Sequence, residues 1–229
     1  MASVTTVIRR QLRRLIRRWL LTRACRDLAR LPPGAPLPGH LSQRLVRGWG
    51  NEQFVASPSL LQVVWEQIHE TRGDILECGS GLSTIVLAVA TRGTGRTVCT
   101  LEHEQVWADR VTRTLRHLRC DQAQVHWTPL HPFDTYDWYA VPDRLEAGPF
   151  GLVVVDGPPG TTRGGRIGLL PRMRSRLCPG AHLILDDADR LGETEVMADW
   201  ERSFGIRRDQ QPHLPANVAL LRIPLDDSR

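Results

Sequence analysis

Along the first twenty residues the apolar side chains Val4, Val7, Ile8, Leu12, Leu15, Ile16, Trp19 and Leu20 recur at helical spacing. Arg9, Arg10, Arg13, Arg14, Arg17 and Arg18 fill the other side, so the pattern predicts a basic amphipathic helix that weakens toward Leu31. The run Pro32-Pro33-Gly34-Ala35-Pro36 cannot propagate a helix and predicts a linker. Ser57 then offers a capping hydroxyl and Pro58 suits a first helical position, ahead of Leu60, Leu61, Val64, Trp65 and Ile68 on one face. Beyond this helix, short strand-like runs at 75–77, 98–101, 124–127, 152–155 and 182–185 alternate with helix-like stretches, the pattern of a parallel sheet wrapped by helices. Two further strands, at 207–209 and 218–223, have no helix between them and predict a terminal antiparallel hairpin.

The expected fold class is therefore α/β: a doubly wound, mostly parallel seven-stranded sheet with helices on both faces and an N-terminal helical extension. The divisions expected are residues 1–31 for the extension, 32–54 for a Pro/Gly-rich linker and lead-in, and 55–229 for the main domain. An apolar fraction of 41% against 24% charged residues excludes a disordered or collagen-like chain.

All 30 basic residues are arginines, and their placement matters more than their number. Residues 1–30 hold nine of them against the single acid Asp27, a local charge of +8 in a chain of net +5, which leaves about −3 for the rest. The basic character thus belongs to one segment, and the domain is not expected to bind nucleic acid specifically. That segment is expected to meet an anionic membrane surface or an acidic partner, or to pack on the domain or on a second subunit in a homodimer. No apolar run approaches the roughly 20 residues needed to cross a bilayer. The five scattered cysteines lack zinc-ligand spacing and fit a reducing cytoplasm, with peripheral membrane attachment through the helix.

The candidate chemistry begins at Glu77-Cys78-Gly79-Ser80-Gly81-Leu82-Ser83-Thr84, a strand running into a Gly-x-Gly turn and an apolar helix. A second acid, Glu102, ends the next strand 25 residues after Glu77, where a carboxylate can accept both hydroxyl protons of a ribose. A dinucleotide site is the rival reading, but Thr84 stands where its third glycine would be.

Glu77-Cys78-Gly79-Ser80-Gly81 resembles the first motif of class I S-adenosylmethionine-dependent methyltransferases, and Thr100-Leu101-Glu102 resembles their second. Residues 150–157 and 178–187 resemble their fourth- and fifth-strand motifs, and the likeness extends over about 55–224. The resemblance implies a cofactor site at Glu77, Gly79, Ser80, Gly81, Ser83, Glu102, His103, Leu130 and Asp156. Within it, Glu77 would sit near the amino group, Glu102 at the ribose, and His103 and Leu130 near the adenine.

Asp156, Asp186 and Asp187 are expected together at the carboxyl ends of neighbouring strands, where like charges raise one another's pKa unless compensated. The expected compensator is Mg²⁺ or Ca²⁺, or an arginine such as Arg163, Arg166 or Arg190. Metal-dependent O-methyltransferases of the catechol and caffeoyl-coenzyme A type, which this pattern resembles, carry Asn where this chain has Asp187. Asp187 or Asp189 could instead cap a helix over 193–204.

Residues 131–139 concentrate aromatic side chains that could close a lid or plug a loop, and Arg163 offers a substrate contact or a solvated loop residue. Asp156, helped by a metal or by His131, is the expected acceptor of the substrate proton, with Mg²⁺ expected to be needed for turnover. The resulting expectation is O-methylation of a small molecule or sugar-like acceptor. An NAD(P)-dependent oxidoreductase and a non-catalytic membrane-associated module are the alternatives.

Overall fold

A computed structural model of the protein describes residues 4–50, 56–142, 145–209, 211 and 213–225. Its order of elements is α1 (Val4–Leu28), α2 (Gly39–Trp49), α3 (Pro58–Glu70), β1 (Asp74–Cys78), α4 (Leu82–Ala90), β2 (Val98–Glu102), α5 (Gln105–Leu118) and β3 (Ala123–Trp127). There follow β4 (Leu130–Pro132), β5 (Asp137–Tyr139), β6 (Phe150–Val155), α6 (Leu169–Met173), β7 (Leu177–Asp186), α7 (Leu191–Phe204), β8 (Arg207–Arg208) and β9 (Val218–Arg222). The main sheet runs β3-β2-β1-β6-β7-β9-β8, with β9 antiparallel to both of its neighbours and the first five strands parallel.

Strands β1, β2 and β6 are buried on both faces, as a parallel sheet between helical layers requires; β6 reads as an unbroken apolar run, whereas β1 and β2 carry the buried polar residues Glu77, Thr100 and Glu102. Alternate side chains feed two cores. Ile75, Leu152, Val154, Ile184 and Leu220 pack with the helices α1 to α5, whereas Leu76, Val153, Val155, Leu183 and Leu221 pack with the β4–β5 hairpin, α6 and α7. The expected cap at Ser57 is present, its Oγ accepting from the Leu60 N–H at 3.0 Å. Neither Asp187 nor Asp189 caps α7: that helix starts after Arg190, and no side chain bonds its first turn.

One helix lies where a linker and lead-in were expected. In α2, Leu41, Leu45, Gly48 and Trp49 form a buried stripe at spacings of four, three and one, and they pack against Leu21, Ala24, Cys25 and Leu28 of α1. A β-carbon on Gly48 would lie 2.6 Å from the Leu21 backbone nitrogen, so glycine is what lets the two helices cross this closely. Arg44 pairs with Asp27 at 2.6 Å across the same contact. The Pro-rich turn between the helices is held by a hydrogen bond from Trp65 Nε1 to the Ala35 carbonyl at 2.7 Å. The second half of α1 is thereby part of the main core, while its first half is exposed.

Truncating Leu45 to Ala should cost about 2–5 kcal/mol, because it opens a cavity between α1, α2 and the core. Leu12→Ala, on the exposed half of α1, should stay within about 0.5 kcal/mol. Urea unfolding of both variants checks the contrast, and a single transition for Leu45→Ala is expected if the α1–α2 pair unfolds with the sheet.

Candidate active site

The carboxyl ends of β1, β6 and β7 lie side by side, with Cys78 opposite Val155 and Val155 opposite Leu185. Gly79, Asp156 and Asp186 therefore emerge next to one another at a single edge of the sheet, where ligands of open α/β sheets bind. Gly79 has φ +85°, and a β-carbon there would lie 3.0 Å from the backbone nitrogen of Gly157. The backbone demands glycine at this position. Gly81 differs: its backbone is extended and a β-carbon would meet nothing within 4 Å, so it borders open space.

Glu77 is fully buried between β1 and β2, and its Oε2 accepts from Thr84 Oγ1 at 2.6 Å and from Thr100 Oγ1 at 2.8 Å. Thr100 is its register partner on β2. Thr84 also accepts from the Gly81 N–H at 2.9 Å, tying the turn to the acid. Among the described residues the other oxygen, Oε1, has no hydrogen-bond partner. Burial pushes the carboxyl up to about 7, against the hydroxyls of Ser83, Thr84 and Thr100, which favour the ion. Ser83 is itself buried in the first turn of α4.

Glu102 sits under opposite conditions. Its Oε2 accepts from the Ser80 N–H and Oγ–H, each at 2.8 Å, and its Oε1 accepts from the Glu104 N–H at 2.9 Å, with His103 Nδ1 at 3.1 Å. Burial would raise its pKa, but His103 and these donors outweigh it, so the carboxyl is held below its usual range. His103 is raised in return by Glu102. Leu130 pairs with Tyr139 across the β4–β5 hairpin, and the Tyr139 ring lies edge-on to His103 at 6.4 Å, so Tyr139 links the hairpin to the residue after Glu102. Trp107 Nε1 donates to the Ser80 carbonyl and holds the glycine turn from the side of α5.

The three aspartates are brought together: Asp156, Asp186 and Asp187 each place an oxygen within 4.8 Å of the others. A guanidinium pairs with two of them. Arg166, only 2% exposed, stands 3.7 Å from Asp156 Oδ1, 3.3 Å from Asp187 Oδ2 and 3.6 Å from Glu193 Oε1. It also donates to the backbone carbonyls of Asp156 and Asp186. Arg190 adds a contact to Asp187 at 2.8 Å. Asp156 is 32% exposed at the crevice, yet the protein packed around it, followed by Asp186, holds its pKa well above the usual carboxylate range despite Arg166. Asp186 is raised as well, by burial and then by Asp187. Asp187 has φ +57°, a left-handed conformation that aspartate tolerates better than most side chains.

Other expected site residues are placed elsewhere. His131 is exposed on the β4–β5 hairpin with its ring edge-on to Phe133 at 5.3 Å, and among the described residues it pairs with no carboxylate. Arg163, a candidate substrate contact, binds the Phe133 and Asp134 carbonyls and the Asp137 carboxylate at 2.7–2.8 Å and so braces the hairpin turn. Trp138 and Tyr139 are buried beneath that turn. The Tyr139 hydroxyl lies against Gly157 and has no partner among the described residues. Neither Tyr139 nor Thr100 was singled out as a site residue. The pairing of β1 with β2 was the available signal for Thr100, whereas nothing local marks Tyr139.

No protein-family model matches the chain, and no curated protein matches it by sequence. Solved structures do. An SAH-bound methyltransferase from Podospora anserina is similar with a TM-score of 0.56 and 14% identity, over 83% of this chain and 90% of that one. An O-methyltransferase from Bacillus cereus in complex with SAH gives 0.52 and 16%, over 81% and 90%. A TDP-rhamnose 3'-O-methyltransferase of calicheamicin biosynthesis, in its apo form, gives 0.53 and 17%, over 88% and 93%. Together with the strand order and the glycine turn beside Glu77, these likenesses identify the fold as that of the class I S-adenosylmethionine-dependent methyltransferases.

Proposed function

We propose that this protein is an S-adenosylmethionine-dependent methyltransferase that acts on a hydroxyl of a small molecule or sugar-like acceptor. The observation that carries this reading is Glu77. One of its oxygens is held by two threonine hydroxyls, and the other is buried and unpartnered beside the glycine turn. A buried acceptor of this kind is costly unless a donor arrives, and the α-ammonium of the methyl donor is a cationic donor suited to it. Glu102, ionised and anchored through the Ser80 and Glu104 N–H groups, can accept from ribose hydroxyls where the Ser80 hydroxyl and His103 turn aside. The open space at Gly81 supports a ligand lying along the turn. The similar structures include O-methyltransferases, which supports an oxygen acceptor. Thr84 weighs against a dinucleotide, because the hydroxyl in the third glycine's place holds both the turn and Glu77.

When bound, S-adenosylmethionine supplies an electrophilic methyl group on a positively charged sulfur. The protein's share of the work is then alignment and removal of the acceptor's proton. Asp156 is the group at the crevice suited to take that proton, and its raised pKa makes it a stronger base once ionised. Arg166 orients the Asp156 carboxylate and offsets the charge of Asp187. The same arginine weighs against a metal here. Its permanently charged guanidinium already pairs with Asp156 and Asp187, so the three aspartates fit a Mg²⁺ site of the family's metal-dependent type poorly.

Removing the ribose acceptor by Glu102→Ala should weaken S-adenosylhomocysteine binding roughly ten- to hundredfold, the loss of about 1.5–3 kcal/mol, measured by calorimetry. The raised pKa of Glu77 sets a pH dependence. Below about 7 the carboxyl is protonated in the free protein and must lose its proton to receive an ammonium. Affinity should therefore fall about tenfold per pH unit below 7 and level off above it, and Glu77→Gln should flatten the profile. For the chemical step, Asp156→Asn should lower kcat by about 10²–10⁴ at saturating donor. Activity of the unaltered protein on a panel of hydroxylated acceptors should survive a chelator; its loss, with recovery on added Mg²⁺, would overturn the role given to Arg166.

A further inference from the structure

Residues 6–9 and 11–19 of α1 are all exposed, so this half of the helix projects from the body over about 21 Å at 1.5 Å per residue. Along it Ile8, Leu12, Leu15, Ile16 and Trp19 follow one another at spacings of four, three, one and three, which places them on one stripe. These side chains are about half exposed or more, Leu15 at 63%, and Trp19 is covered in part by the Arg23 guanidinium over its ring. An apolar stripe left in water on a projecting helix marks a surface awaiting a partner. The helix turns its stripe away from the core: the buried side chains Leu21, Ala24, Cys25 and Leu28 lie on the face that continues toward the N-terminus as arginines. Two of those arginines reach the body, Arg17 donating to the Gly50 carbonyl at 2.8 Å and Arg18 standing 2.7 Å from His117 Nδ1. The domain itself therefore cannot cover the stripe without α1 rolling over.

Charge selects among the possible partners. Arg9, Arg13 and Arg17 stand four residues apart in series, as do Arg14 and Arg18, and no acid lies in the first turn to meet the helix dipole. Like-charged neighbours at this spacing destabilise a helix, and so do cations at its N-terminus. A helix of this length is marginal in water by itself. A second copy of the chain would bury the stripe but leave the arginines, which lie on the opposite face, without countercharge. A nucleic acid would satisfy the arginines but leave the stripe in water. An anionic bilayer surface meets both demands at once, taking the apolar side chains below the headgroups while the long arginine side chains reach lipid phosphates from the polar side of the helix. No helix of the described residues is long and apolar enough to cross a membrane, so the association would be in the plane of the surface.

We propose that the projecting half of α1 is a docking element for anionic membrane surfaces, seated through Ile8, Leu12, Leu15, Ile16 and Trp19. The test is flotation of the full chain with vesicles of phosphatidylcholine, with and without phosphatidylglycerol. Binding is expected only with phosphatidylglycerol present. The double substitution Leu12→Glu with Ile16→Glu should abolish it while leaving the thermal transition of the domain unchanged. Arg13→Gln with Arg14→Gln should weaken it about fivefold per arginine, and added salt should weaken it further. Failure to float with either vesicle would overturn the proposal, as would equal binding to both. Binding that survives the glutamate substitutions would point to bare charge attraction, such as to a nucleic acid, and would overturn it too. A concentration-dependent dimer in the absence of lipid, lost on Leu12→Glu with Ile16→Glu, would assign the stripe to self-association instead.

Discussion

The close approach of two backbones, Gly79 at the end of β1 and Gly157 after β6, governs the geometry of the whole crevice. A β-carbon on Gly79 would come within 3.0 Å of Gly157, and one on Gly157 within 2.9 Å of Gly79. With neither present, the two strand ends close on each other and their next residues turn outward together. That contact puts Glu77 just below the turn, Asp156 beside it and the start of α4 opposite, so acids far apart in the chain share one crevice. The unpartnered Tyr139 hydroxyl rests on the same seam.

Around that seam the protein handles buried carboxylates in three ways. Glu102 is surrounded by donors and stays ionised. Glu77 is held on one oxygen by two threonine hydroxyls, with Ser83 also favouring the ion, yet burial dominates and raises its pKa to about 7. The Asp156, Asp186 and Asp187 group is too crowded for hydrogen bonds alone and is built around Arg166. Removing one partner from such a buried group leaves uncompensated charge, which costs more than the pair itself contributes, so the four side chains stand or fall as a unit.

Helix α1 answers to two environments along one continuous backbone. From Leu21 onward it is pinned by α2, with Gly48 allowing the crossing and Asp27 paired to Arg44. Before Trp19 the same helix has only solvent around its apolar stripe. Two anchoring contacts, from Arg17 and Arg18, fix the direction in which that stripe faces relative to the sheet. Arg17 meets the residue that ends α2. From there Trp49 packs edge-on against Trp107, which bonds to Ser80, so the extension and the glycine turn are joined by a continuous line of contacts.

The strands were legible in the sequence as short apolar or β-branched runs between turn residues, clearest in β6 and β7, and all seven strands of the main sheet lie within a few residues of their expected places. The glycine turn and the acids at Glu77, Glu102, Asp156, Asp186 and Asp187 were legible because each lies at or within one residue of a strand's carboxyl end. Helix α2 was hidden, since its glycines and the prolines before it read as a loop and its apolar stripe is short. What only tertiary structure decided were the relations between side chains distant in the chain: that Arg166 and not Arg163 enters the aspartate cluster, that His131 stays outside it, and that Thr84 and Thr100 hold Glu77 by one oxygen and leave the other unpartnered. The sequence by itself determined the periodic features, because these are local and repeat along the chain. Charge compensation depends instead on distances of a few ångströms between elements, and those exist only once the sheet has closed at Gly79 and Gly157.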